Sequence, residues 1–189
     1  MSRPSGHGHD DGVAAMAVAA TLHCLTGCAI GEILGLVIGS AAGWSNPPTV
    51  IVSIALAFVF GYGLSALPLL KAGLGVSAAF GLVLAADTLS IVTMELVDNA
   101  VVLVIPDAMN AGLEDALFWL STIASLVVAF FAAFPVNRIL LMRGKGHALT
   151  HGVHGADGHR RRVPSPSTSS LVIGIVAFML GGLLVAVAG

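Results

Sequence analysis

The stretch TLHCLTGCAIGEILG, residues 21–35, decides the fold. It lies inside an apolar run from about residue 13 to 42, long enough to cross a bilayer whose hydrocarbon core is ~30 Å thick. Within that run stand both cysteines of the chain, Cys24 and Cys28, together with His23 and Glu32. Residues four apart share a helix face. Cys24, Cys28 and Glu32 therefore form one stripe, and His23 starts the next, with Gly27, Gly31, Gly35 and Gly39. Glycine at every fourth position makes a flat groove that another helix can approach closely. These four glycines are expected to pack helices.

Outward from this stretch the chain keeps the same character. Of 189 residues, 57% are hydrophobic and 10% are charged, and the mean hydropathy is +0.97. A water-soluble domain carries about 25% charged residues, so the class is an all-α integral membrane bundle. Five segments suit transmembrane helices: 13–42, 49–70, 74–104, 115–136 and 169–188. The third is long enough to tilt, protrude or break near MELVDN (94–99). The organisation expected is a polar tail (1–12), a four-helix core (13–142), a His/Arg-rich linker (143–168) and a C-terminal span (169–189). The tail lacks the short apolar core of a signal peptide, so the first run reads as a retained span.

Five of the eight basic residues fall at 143–162, with Arg138 just before. Lys and Arg collect on the cytoplasmic side, which makes the linker and the N-terminus cytoplasmic. The WSNPP turn (44–48) and the loop 105–115 then face outward. A net charge of -2 gives no footprint for nucleic acid. The two cysteines cannot build a disulfide framework. No phosphate loop, nucleophile elbow or zinc-protease motif is present, which points away from an enzyme.

The third segment adds acids. Asp87, Ile91, Met94 and Asp98 project onto one face, with Glu95 beside them. No basic residue lies inside a span to pair with them. The acids must be protonated, hydrogen-bonded, in a wet cavity, or matched by a cation; alternatively Glu95 and Asp98 cap a helix end among the headgroups. Thiol, imidazole and thioether suit soft and borderline ions. His23, Cys24, Cys28, Glu32, Asp87 and Met94 are thus candidate ligands for copper(I), the favoured ion, or zinc. Glu95, Asp98 and the linker histidines His147, His151 and His154 form a secondary set. Pro135, Asn137 and Arg138 read as a kinked helix end at the inner interface. The chain is expected to bind or move a cation, as a permease or accessory protein that works as a homo-oligomer. The alternative is a structural or assembly subunit of a larger membrane complex, docked through the glycine stripe.

The blocks LHCLTGCAIGE, AADTLSI, MELVDNAVVLVIPDAMNAGL, LFWLS and FPVNRILLMRGKGHA resemble a family of uncharacterised multi-pass bacterial membrane proteins, domain of unknown function 4396. Its hallmark is H-C-x-x-G-C-x-x-G-E, and the resemblance covers roughly residues 15–155. It marks His23, Cys24, Gly27, Cys28, Gly31, Glu32, Asp87, Glu95, Asp98, Asn99, Pro135, Asn137 and Arg138. It implies a bacterial plasma-membrane setting and no particular activity.

Overall fold

The structure is a computed structural model that describes residues 7–71, 73–143 and 168–188. The linker histidines His147, His151 and His154, and with them most of the 143–168 linker, lie outside the described residues. The helices are α1 (His7–Ala41), α2 (Asn46–Lys71), α3 (Val76–Val104), α4 (Ala116–Met142) and α5 (Thr168–Ala188), with a 3₁₀ turn at Ala108–Asn110. All five are long and apolar enough to cross a membrane. α3 is one unbroken helix of 29 residues. At 1.5 Å per residue it is about 44 Å long, so it outreaches a bilayer core by tilting or protruding rather than by breaking at 94–99.

Glycine ends the first two helices. Gly43 (φ 67°) and Gly73 (φ 91°) take the left-handed conformation that closes a helix C-terminus. In each case a backbone N–H reaches five residues back, from Trp44 to Gly39 at 2.9 Å and from Leu74 to Leu69 at 3.1 Å. These tight reversals make α2 antiparallel to α1 and to α3, so α1 and α3 run parallel. At the Trp44 end, the Asn46 amide donates to Asn110 Oδ1 at 3.1 Å, tying the first turn to the 105–115 loop. That loop turns at Asp107 (φ 63°) and closes where Gly112 N–H donates to Asp115 Oδ2 at 3.0 Å.

α1 is the hub and touches each of the other four helices. Its closest neighbour is α2, and the glycine stripe is the reason. A Cβ at Gly27 would sit 2.6 Å from Gly61 Cα, and one at Gly31 would overlap the Ala57 backbone. Gly35 and Gly39 face Ser53 and Thr49 in the same way. Ser53 completes the seam by donating to the Glu32 carbonyl at 3.3 Å. The stripe is therefore filled within the chain, and docking of another protein through it, the expected alternative, has no free surface to use.

α2 and α3 hold together near the Gly73 end, where Ala66, Leu69, Ala79 and Val83 form a small core. Tyr62 Oη and Thr88 Oγ1 meet there at 2.9 Å. α5 packs lightly on α1 and α4, with Met179 its buried residue among those described. Its anchor is Gly182, whose missing side chain leaves room for the Trp119 ring. Phe178 meets the same ring edge-on, with centroids 5.7 Å apart.

Candidate functional site

The two polar helices do meet. α1 turns Cys24 and Cys28 inward, each 1% exposed, and α3 turns Asp87, Ser90, Ile91, Met94, Glu95 and Asp98 toward them. Because the helices are parallel, their stripes run in register. Cys24 lies beside Ser90, within electrostatic range of Asp87. One turn on, Cys28 lies beside Glu95. A further turn on, the Glu32 and Asp98 carboxyls face each other, and Asp98 also reaches Ser125 of α4. Met94 is buried in the same cluster as the two thiols. His23 is half-buried on the neighbouring stripe.

Glu95 and Asp98 are only 4% and 7% exposed and lie inside α3, whose C-cap is Ile105, so neither caps the helix. Glu32 Oε1, both carboxyl oxygens of Glu95 and Asp98 Oδ1 are buried without a hydrogen-bond partner of good geometry. These three acids border a cavity of about 120 Å³ toward the Trp44 end. Asn46, Thr49, Ser53, Asn99, Ser121 and Thr122 add polar groups to its wall, and among the described residues no Lys, Arg or His lines it. A chamber of that size holds several waters.

A family model described as "Domain of unknown function (DUF4396)" matches residues 14–146. The chain belongs to the DUF4396 family. No curated protein and no solved structure matches it. The DUF4396 match contains all of the paired polar residues on α1, α3 and α4, and α5 lies beyond it.

The expected soft-metal ligands do not gather into one three-donor group. Among the described residues, no group of three or more His, Cys, Asp or Glu side chains is placed to hold a metal ion. The cause is the parallel register. His23, Cys24, Cys28, Glu32, Asp87 and Met94 are strung along the bundle axis, a pair or so per turn, and do not close around one point. Asn137 is 5% exposed and donates to Thr21 Oγ1 at 2.9 Å, so its side chain faces α1 inside the bundle.

The polar face of α4 was not singled out by the sequence reading. Ser121, Thr122 and Ser125 are all buried; the first two line the cavity with Glu32 and Asp98, and Ser125 lies beside Asp98. Their spacing of three and four carried the signal. It is quiet because Ser and Thr can satisfy themselves on their own helix: Ser121 and Thr122 both donate to the Phe118 carbonyl, at 2.9 and 2.7 Å.

Proposed function

We propose that this DUF4396 protein takes up and passes cations within the membrane, with the proton as the cation and Glu32, Glu95 and Asp98 as the exchanging groups. The observation that carries this reading is the set of buried carboxyl oxygens without a hydrogen-bond partner of good geometry around one small cavity of mixed polar and apolar lining. Uncompensated carboxylates are costly in hydrocarbon and mark ion or proton pathways. A proton needs no shell of ligands, so it fits a site that lacks a three-donor group. Beyond the acids, polar groups continue along the α1–α3–α4 interior through Cys28, Cys24, Ser90 and Asp87 to the Thr21–Asn137 pair. From Glu32 to Thr21 this line covers eleven residues of α1, about 17 Å at 1.5 Å per residue. The positive linker favours a cytoplasmic Gly73 end, and the family resemblance favours a bacterial inner membrane.

The test is proton flux. The protein is reconstituted in liposomes holding a pH-sensitive dye, and a potassium diffusion potential is applied. Wild type should acidify or alkalinise the lumen faster than protein-free liposomes. Glu95→Gln and Asp98→Asn should each slow this by about tenfold or more, the range expected for a proton-transfer group. Equal rates with wild type and without protein would remove the proposal.

One observation favours a second reading. Cys24, Cys28 and Met94 share one buried cluster, and soft thiol and thioether donors select copper(I). A two-thiolate ion would need no third ligand. Copper and zinc content of anaerobically purified wild type, beside the Cys24→Ser/Cys28→Ser double variant, decides it: equal and negligible metal in both would end this reading.

A further inference from the structure

α2 and α3 are joined at the Gly73 end and part toward the Trp44 end, leaving an apolar cleft of about 590 Å³ between them. Val50, Ile54 and Phe58 form one wall, and Val92, Leu96 and Leu103 the other. Leu96 and Leu103 are 69% and 68% exposed, so the cleft opens sideways, into lipid. Its inner end is polar. Glu95 and Asn99 line both this cleft and the acidic cavity, as do Asn46 and Met109 at the Trp44 end. The cleft and the cavity therefore adjoin at Glu95 and Asn99, and together they make a passage-like site that is apolar at the outer side and acidic at the core.

We propose that this passage is a lateral binding site for a single-chain cationic amphiphile, its ammonium head at Glu95 and Asp98 and its alkyl chain between α2 and α3. The charge argument selects the head. Glu95 is 4% exposed, and both its oxygens are without a good hydrogen-bond partner. Three carboxyls border the cavity, and among the described residues no basic side chain lines either half. An ammonium group supplies positive charge and N–H donors together. The cleft selects the tail, since its wall is almost wholly apolar and faces the hydrocarbon. An anionic or zwitterionic phospholipid would bring its phosphate against the acids and is disfavoured for that reason. The inference rests on the carboxyl site proposed above, but not on its proton traffic.

The experiment uses the full chain in nanodiscs of neutral phospholipid and a photoreactive dodecylammonium probe carrying a diazirine on its chain. Labelled peptides are mapped by mass spectrometry, with dodecylamine and dodecanol as competitors. Saturable labelling of α2 and α3 at the cleft, displaced by dodecylamine and not by dodecanol, is the expected result. Glu95→Gln should weaken it at least about tenfold, as for loss of a buried charge partner. Ala100→Trp, an exposed residue at the cleft, should block labelling while leaving Glu95 in place. Monodispersity of each variant checks that it is folded. Labelling that does not saturate, or that is unchanged by Glu95→Gln, or that dodecanol displaces equally, means ordinary lipid contact and overturns the proposal. Proton flux in liposomes is read separately, so loss of either result leaves the other standing or falling by itself.

Discussion

Glu95 concentrates the chemistry at the scale of single residues. It sits among Cys28, Glu32 and Asp98 in a span where a bare charge costs roughly 2.5–3.5 kcal/mol on insertion scales. The cost is tolerable only if a proton, water or a cation answers the carboxyls, and the adjoining cavity makes room for each. The sequence made these acids conspicuous. It left their neighbours open, because a helical projection says which face a residue occupies and not which helix lies opposite. Asn137 shows the same limit. Five residues from the end of an apolar helix it reads as an interfacial group, and nothing in that reading names its partner Thr21, 116 positions away in sequence. Thr21 itself donates to the Ala17 carbonyl at 2.7 Å, so its hydroxyl is fixed to receive the amide. Asn137→Ala should lower stability by about 1 kcal/mol, the usual worth of one such bond. Denaturant unfolding in mixed micelles measures this, and an unchanged midpoint would show that the α1–α4 bond contributes nothing.

At the scale of elements, the glycine seam between α1 and α2 was readable from sequence and its partner was not. The four-residue period announced a close approach. What it could not tell was whether the approaching helix belonged to this chain. Small residues on α2 at Thr49, Ser53, Ala57 and Gly61 repeat the same period, and that matching stripe decides the pairing. Gly31→Leu should destabilise the bundle by about 1–3 kcal/mol or more, since its side chain would overlap the Ala57 backbone. Gly81→Ala, at a helical position with nothing within 4 Å, should be neutral or stabilising by up to ~1 kcal/mol. Thermal unfolding of the two variants in one detergent tests the seam: similar midpoints would mean that α1 and α2 are not in close contact. α3 was legible as an acidic face and ambiguous as a single helix. Its continuity follows from packing on both α1 and α4, which an apolar run read alone does not reveal.

At the scale of the whole molecule, five helices long and apolar enough to cross a membrane would set the His7 end of α1 and the Ala188 end of α5 on opposite sides of it. The joined turns at Asn46 and Asn110 agree with this, because they put the first and third connections at the same end. With the positive linker cytoplasmic, Trp44 should be reachable from outside and the region of Gly73 from inside. Single cysteines placed at Ser45 and at Gly75, where a side chain meets nothing within 4 Å, in a Cys24→Ser/Cys28→Ser background report this. A membrane-impermeant maleimide added to intact cells should label the first and spare the second, and the reverse pattern would invert the assignment. The glycine seam also bears on how the protein is made. α1 and α2 leave the ribosome in succession and can zip together at once along their small residues. The face of α1 that carries Cys24, Cys28 and Glu32 must wait for α3 and α4. During that interval the early hairpin holds its thiols and acid against lipid or the insertion machinery, so a faulty seam would be expected to strand the nascent chain for disposal before the acidic chamber ever closes.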